Sequence, residues 1–171
     1  MKNTLISLAA LAAGLLLAGC STIQISPEST GADDLVGAWR GQAQFNNGSF
    51  AAVKDLELMY VFNAGGTMTE SSNYDSSPPV PPAYGIWRKT GPRQFEARYE
   101  YYWTKSPANF DEIAKGGGWP AGGTGLLVQK ITLAPDGNSF ESTLTYDTFD
   151  QQGKPADPRC LAVAHGVRLK F

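Results

Sequence analysis

Short turns interrupt alternating residues so often along this chain that little besides antiparallel β-structure can be built from it. Asn63-Ala64-Gly65-Gly66, Thr90-Gly91-Pro92-Arg93 and Pro135-Asp136-Gly137-Asn138 each separate two segments of period two, rich in β-branched and aromatic residues, which is the pattern of hairpins. Eight such segments can be traced: 35–45, 53–62, 67–74, 83–89, 94–105, 126–133, 139–149 and 160–171. No long helical apolar period competes with them. Consecutive antiparallel strands in this number predict an all-β fold, an eight-stranded up-and-down barrel, because closing the sheet removes the edges on which other chains pair. A barrel of that size is either filled by side chains or holds one small ligand.

Alternation also assigns faces, since neighbouring side chains on a strand point to opposite sides. In the fifth segment Phe95, Ala97, Tyr99, Tyr101 and Trp103 share the face expected to point inward, while Glu96, Arg98, Glu100 and Tyr102 share the outer, solvated one. The same reading turns Leu56, Leu58, Tyr60 and Phe62 inward, then Phe140, Ser142, Leu144 and Tyr146. On the eighth segment it selects Leu161, Val163, His165, Val167, Leu169 and Phe171. Tyr60, Tyr99, Tyr101, Trp103, Tyr146 and His165 are therefore the candidate ligand-binding residues. Buried tyrosine hydroxyls need partners. These either bond to one another and to trapped water in a packed core, or offer themselves to a ligand. His165 is either a satisfied core residue or an interior acid, base or hydrogen-bond donor. The odd separation of Cys160 from His165 sends the two to opposite faces, which excludes them as a nucleophile pair. Cys160 then reads as a small buried residue or a free thiol beside Arg159.

Gly37-Ala38-Trp39 on the first segment, followed by seven more strands, resembles the Gly-x-Trp opening of lipocalins and related calycins. That resemblance implies a lipocalin-like barrel whose floor is closed by Trp39. It also implies a cation from near the last strand, Arg168 or Lys170, covering the indole, a cation–π contact of about 1 kcal/mol.

The amino end carries a different signal. Met1-Lys2-Asn3 is a short positive start and Leu5 to Ala18 is nearly all apolar, the layout of a secretory signal. The run of about 14 residues is shorter than the roughly 20 a spanning helix needs. Its end, Leu17-Ala18-Gly19-Cys20, resembles the lipobox of bacterial lipoproteins. The resemblance implies cleavage before Cys20, lipid on Cys20, and a place in the bacterial envelope; Ser21 resembles an outer-membrane sorting residue. The expected organisation is a signal peptide over 1–19, a lipidated cysteine and tether over 20–33, and a barrel domain over 34–171. As a coil the tether would reach about 20 Å.

A formal net charge of −2 with scattered signs leaves no basic stripe for nucleic acid. With Cys20 given to lipid, Cys160 has no cysteine to pair with. No nucleophile elbow, phosphate loop or zinc spacing is present, so no metal, cofactor or catalytic residue is assigned. The acidic stretch 147–157 reads as an exposed connection. Two connections are long enough to govern access to an interior: the proline-rich 76–82, and 106–125, where Ser106 would cap a helical turn ended by Gly116-Gly117-Gly118 and where Trp119-Pro120 stands as a flap. Both precede even-numbered strands, hence lie at the same end, as lids or as plain surface loops.

The leading expectation is an envelope lipoprotein that binds a small apolar or amphipathic ligand inside the barrel. An alternative is a solid-core lipoprotein that binds a protein partner through its loops. A third is an isomerase- or cyclase-type enzyme in which His165 and interior tyrosines move protons.

Overall fold

The computed structural model describes residues 34–75, 80–114 and 119–171. The expected signal segment, Cys20 and the tether lie outside the described residues, as do 76–79 and 115–118 of the two long connections. Eight strands follow one another: β1 (Gly37–Phe45), β2 (Leu56–Phe62), β3 (Thr67–Ser72), β4 (Ala83–Gly91), β5 (Gln94–Thr104), β6 (Ala121–Leu133), β7 (Ser139–Asp150) and β8 (Cys160–Arg168). They form a closed barrel in sequence order. The seam is an antiparallel ladder between β1 and β8 running from Trp39↔Arg168 to Phe45↔Ala162. This is the all-β, up-and-down architecture that the alternation and the Gly37-Ala38-Trp39 opening imply. Among the described residues no helix is long and apolar enough to cross a membrane.

The two ends of the barrel are built differently. At the end where β1 begins, the connections are tight: Asn63 N donates to Thr67 O at 2.9 Å, and Ala134 N to Ser139 O at 2.8 Å, with Gly137 in the left-handed region at φ 70°. At the opposite end the connections are longer, spanning 46–55, 73–82, 105–120 and 151–159. They hold a 3-10 turn (Ser49–Ala52) and a short helix α1 (Phe110–Ala114).

The structure departs from the sequence reading in three places. Strand β6 begins at Ala121, well before the expected 126, and pairs Trp103 with Gly123 and Tyr101 with Gly125. The glycines there read as a loop, yet a side chain at Gly122 would collide with the Trp103 ring and one at Gly125 with Tyr101. They are strand residues kept bare to admit aromatics from the neighbouring strand. The helix is capped by Asn109 and not by Ser106: Glu112 N donates to Asn109 Oδ1 at 3.2 Å and Ala108 N to Glu112 Oε2 at 3.0 Å, close to a capping box. Its expected glycine stop lies outside the described residues.

The third departure inverts a strand. On β8 the inward residues are Cys160, Ala162, Ala164 and Gly166, whereas Leu161, Val163, His165 and Val167 are exposed. Size explains the choice. Phe140 from β7 and Tyr60 from β2 already occupy the interior beside this strand, and a side chain at Gly166 would run into the Phe140 ring. Close packing leaves room only for small inward residues, so the large aliphatic ones turn outward.

A packed floor fills the tight-turn end. Trp39, Phe62, Met68, Phe95, Leu133 and Phe140 are all fully buried, with Trp39 against Phe140 at 5.2 Å and Phe62 edge-on to Trp87 at 6.1 Å. The Trp39 indole donates to Leu35 O at 3.0 Å. Over its ring lies the Arg168 guanidinium, 4.2 Å from the centroid. Arg168 also donates to Gly137 O at 2.8 Å and to Val36 O and Asp34 O, both at 2.6 Å. It thereby ties the chain entering β1 to the β6–β7 turn, while Lys170 lies exposed beyond it.

Candidate ligand cavity

Above the floor the interior is not filled. A cavity of about 300 Å³ runs to the end that carries the long connections, and its wall is mostly aromatic: Phe45, Phe50, Tyr99, Tyr101, Trp103 and Tyr146 all line it. Four of the six sequence candidates, Tyr99, Tyr101, Trp103 and Tyr146, thus stand together on one cavity. The first three come from the inward face of β5 and the fourth from β7, as alternation requires. Tyr60 sits just beneath, 1% exposed in the core.

The hydroxyls are only partly satisfied among themselves. Tyr101 and Tyr146 share a hydrogen bond at 2.5 Å with their rings stacked at 6.3 Å. Tyr99 donates to Gln129 Oε1 at 3.3 Å; Gln129 Nε2 donates to Ser142 Oγ at 2.8 Å, and Ser142 Oγ to Ala164 O at 3.2 Å. Trp103 Nε1 donates to Phe149 O at 3.3 Å near the rim. The Tyr60 hydroxyl, by contrast, is buried without a hydrogen-bond partner among the described residues, although Tyr99 and Gln129 are its polar neighbours. Burial pushes the phenols of Tyr60, Tyr99, Tyr101 and Tyr146 above their ordinary range, so all four stay neutral and able to donate or accept.

One cavity residue escaped the sequence reading altogether. Glu70, on the inward face of β3, is 8% exposed and lines the cavity. Its neighbours across the ladder are Tyr60 on β2 and Ala83 on β4. Burial first, and the nearby Asp75 second, push its carboxyl up to about 8, so at neutral pH it carries its proton. Gln129 was missed in the same way. In both cases parity held the signal: Met68 inside places Glu70 inside, and Ile131 inside places Gln129 inside.

His165 is the candidate that the structure removes from the interior. It projects outward from β8 with its side chain about half exposed, 51%, and meets Glu141 Oε1 at 2.8 Å through Nδ1. It cannot act with the inner tyrosines on a substrate held in the barrel. Cys160 does point inward, buried, with its Sγ 3.5 Å from Pro158 O; desolvation raises its thiol, which makes it a poor nucleophile. The outer face of β5 is as expected: Tyr102 is 72% exposed, Arg98 pairs with Glu100 at 3.1 Å, and Arg88 on β4 pairs with Glu96 at 2.5 Å.

Of the two connections singled out in the sequence, only the proline-rich one reaches the mouth; no described residue of 106–125 lines the cavity. Val80 and Pro81 of the proline-rich stretch line the cavity, as do Tyr74 and Asp75 just before it and Asp157 from the β7–β8 connection. Asp75 folds back on Ser72, accepting from its N at 2.6 Å and its Oγ at 2.7 Å. The long β5–β6 connection closes on itself through Lys105 N to Pro120 O at 2.8 Å. No protein-family model matches the chain, and comparison with curated proteins finds no match to its sequence.

Proposed function

We propose that this protein is a bacterial envelope lipoprotein, anchored through lipid on Cys20, whose barrel binds a small apolar or amphipathic molecule. The observation that carries the reading is the aromatic cavity above a packed floor. Small-ligand sites are concave, mainly apolar and fitted with a few convergent polar groups; here the polar groups are Glu70 and the hydroxyls of Tyr99, Tyr101 and Tyr146. At about 300 Å³ the space lies at the small end of such sites. The lipobox at Leu17-Ala18-Gly19-Cys20 supports the anchor.

Two measurements test this reading. Native mass spectrometry of protein extracted from its own envelope is expected to show a bound species of low mass. That species should be lost from Ala43→Phe, which places a ring in the cavity at an overpacking cost of about 1–3 kcal/mol. If Ala43→Phe does not fold, Leu144→Phe serves the same purpose from β7. An empty wild-type barrel extracted without detergent would count against the cavity reading. Separately, Cys20→Ser is expected to move the protein from the membrane to the soluble fraction and to abolish palmitate labelling. Unchanged membrane association and labelling would sink the anchor.

A further inference from the structure

Among the described residues the ionisable side chains that line the cavity are all acidic: Glu70, Asp75 and Asp157 line it, and no described Lys, Arg or His does. Its deepest charged group, Glu70, accepts no hydrogen bond from any described residue, and the unpartnered Tyr60 hydroxyl is its neighbour across the ladder. A carboxyl set in a mostly apolar wall and facing the cavity with no protein partner is costly to ionise there unless a ligand supplies the opposite charge. The remaining wall is built from ring faces, seven aromatic residues in all, and ring faces attract cations.

We infer that the cavity is a seat for an organic cation, an alkyl- or arylammonium whose head meets Glu70 and whose apolar body lies against the tyrosines and Trp103. The inference rests on the cavity-binding reading above and names its ligand class. An anionic ligand would meet the carboxylates of Asp75 and Asp157 at the mouth and a neutral Glu70 inside, with no cation among the described lining residues to receive it. A neutral one would leave the electrostatic bias of the site unused. An ammonium converts it into a charge-assisted pair, and the acidic mouth formed by Asp75 and Asp157 favours its entry. The titratable groups that face Glu70 are Tyr60 on β2, Tyr99 and Tyr101 on β5, and Asp75 in the turn after β3. The three phenols are held neutral, so the proton that moves is the one on Glu70. The empty site carries it, and a bound cation displaces it to solvent.

Three ligands of one skeleton test the inference on the full-length chain: phenylbutylamine, phenylbutanol and phenylbutyrate, followed by calorimetry and tryptophan fluorescence. The amine is expected to bind at least about tenfold more tightly than the alcohol, a difference of about 1.4 kcal/mol. At pH 7, in two buffers of different ionisation enthalpy, its binding should release about one proton while the alcohol releases none. Glu70→Gln should lose at least about tenfold for the amine and leave the alcohol within about threefold. The proton count needs no variant, so the test survives a Glu70→Gln that folds poorly. Alcohol and butyrate binding as tightly as the amine, or amine binding untouched by Glu70→Gln, would overturn the cation while leaving a ligand cavity in place. If none of the three binds to folded protein, the cavity reading falls with it.

Discussion

Trp39→Ala is expected to destabilise the barrel by about 3–5 kcal/mol, read from the midpoint of urea unfolding at constant slope. The indole is completely buried and makes contacts of every kind available to it: the Phe140 ring beside it, the Leu35 carbonyl accepting from its N–H, and the Arg168 guanidinium over its face. Truncation removes the apolar transfer energy, opens a void the closed sheet cannot collapse into, and leaves Leu35 O without its donor. Arg168→Lys separates the charge from the fork. A lysine ammonium is a point charge and cannot reach Gly137 O, Val36 O and Asp34 O together. It should cost about 1–2 kcal/mol, and Arg168→Ala more. A Trp39→Ala loss below about 1 kcal/mol would mean that the floor is not the packed seal described above.

Glu70 sets the second large effect, with a sign opposite to that of ordinary surface carboxylates. Its folded-state carboxyl titrates at about 8 against 4.5 for a free side chain. Between those values the native state holds a proton that the unfolded chain has released. Stability therefore falls as pH rises through this window, and the loss is complete above about pH 8. The displacement corresponds to at most about 4 kcal/mol between pH 5 and pH 9, and less where water relaxes the site. Glu70→Gln keeps the shape and removes the proton, so it should flatten the profile and leave the variant more stable than the wild type at pH 9. Parallel profiles for the two proteins would show that Glu70 is solvated and not buried against Tyr60 and Ala83. A gain in stability alongside lost amine affinity is the pattern expected of a binding residue that costs the empty fold.

The barrel itself was legible because two independent signals agreed at each strand: a period of two in side-chain character and glycine, asparagine or proline at the turns. All eight segments became strands, and the inward sets of β2, β5 and β7 were read correctly from hydrophobicity alone. The same rule failed on β8, where Leu161, Val163 and Val167 look like core and alanines and glycine take the inside. Hydrophobicity reports what a side chain prefers, whereas a narrow interior also asks how large it is. What decides β8 is the volume of Phe140 and Tyr60, and no local window of sequence contains that. Glu70 was hidden for the complementary reason, since a charged residue in a polar strand, TMTESS, is read as solvated. The site was thus half visible: its aromatic wall showed in the sequence, and the acid at its inner end did not.

The seam between β1 and β8 fixes where the two ends of the barrel chain emerge. Trp39 pairs with Arg168 at the closed floor, so the chain enters and leaves the barrel at the same pole, and the opening lies at the other. Strands of this length and tilt set the two poles roughly 25 Å apart. A tether at the amino end would therefore join the barrel at its closed pole and leave the opening unobstructed. A reporter or affinity handle joined after Phe171 would likewise sit at the mooring pole and leave that opening clear.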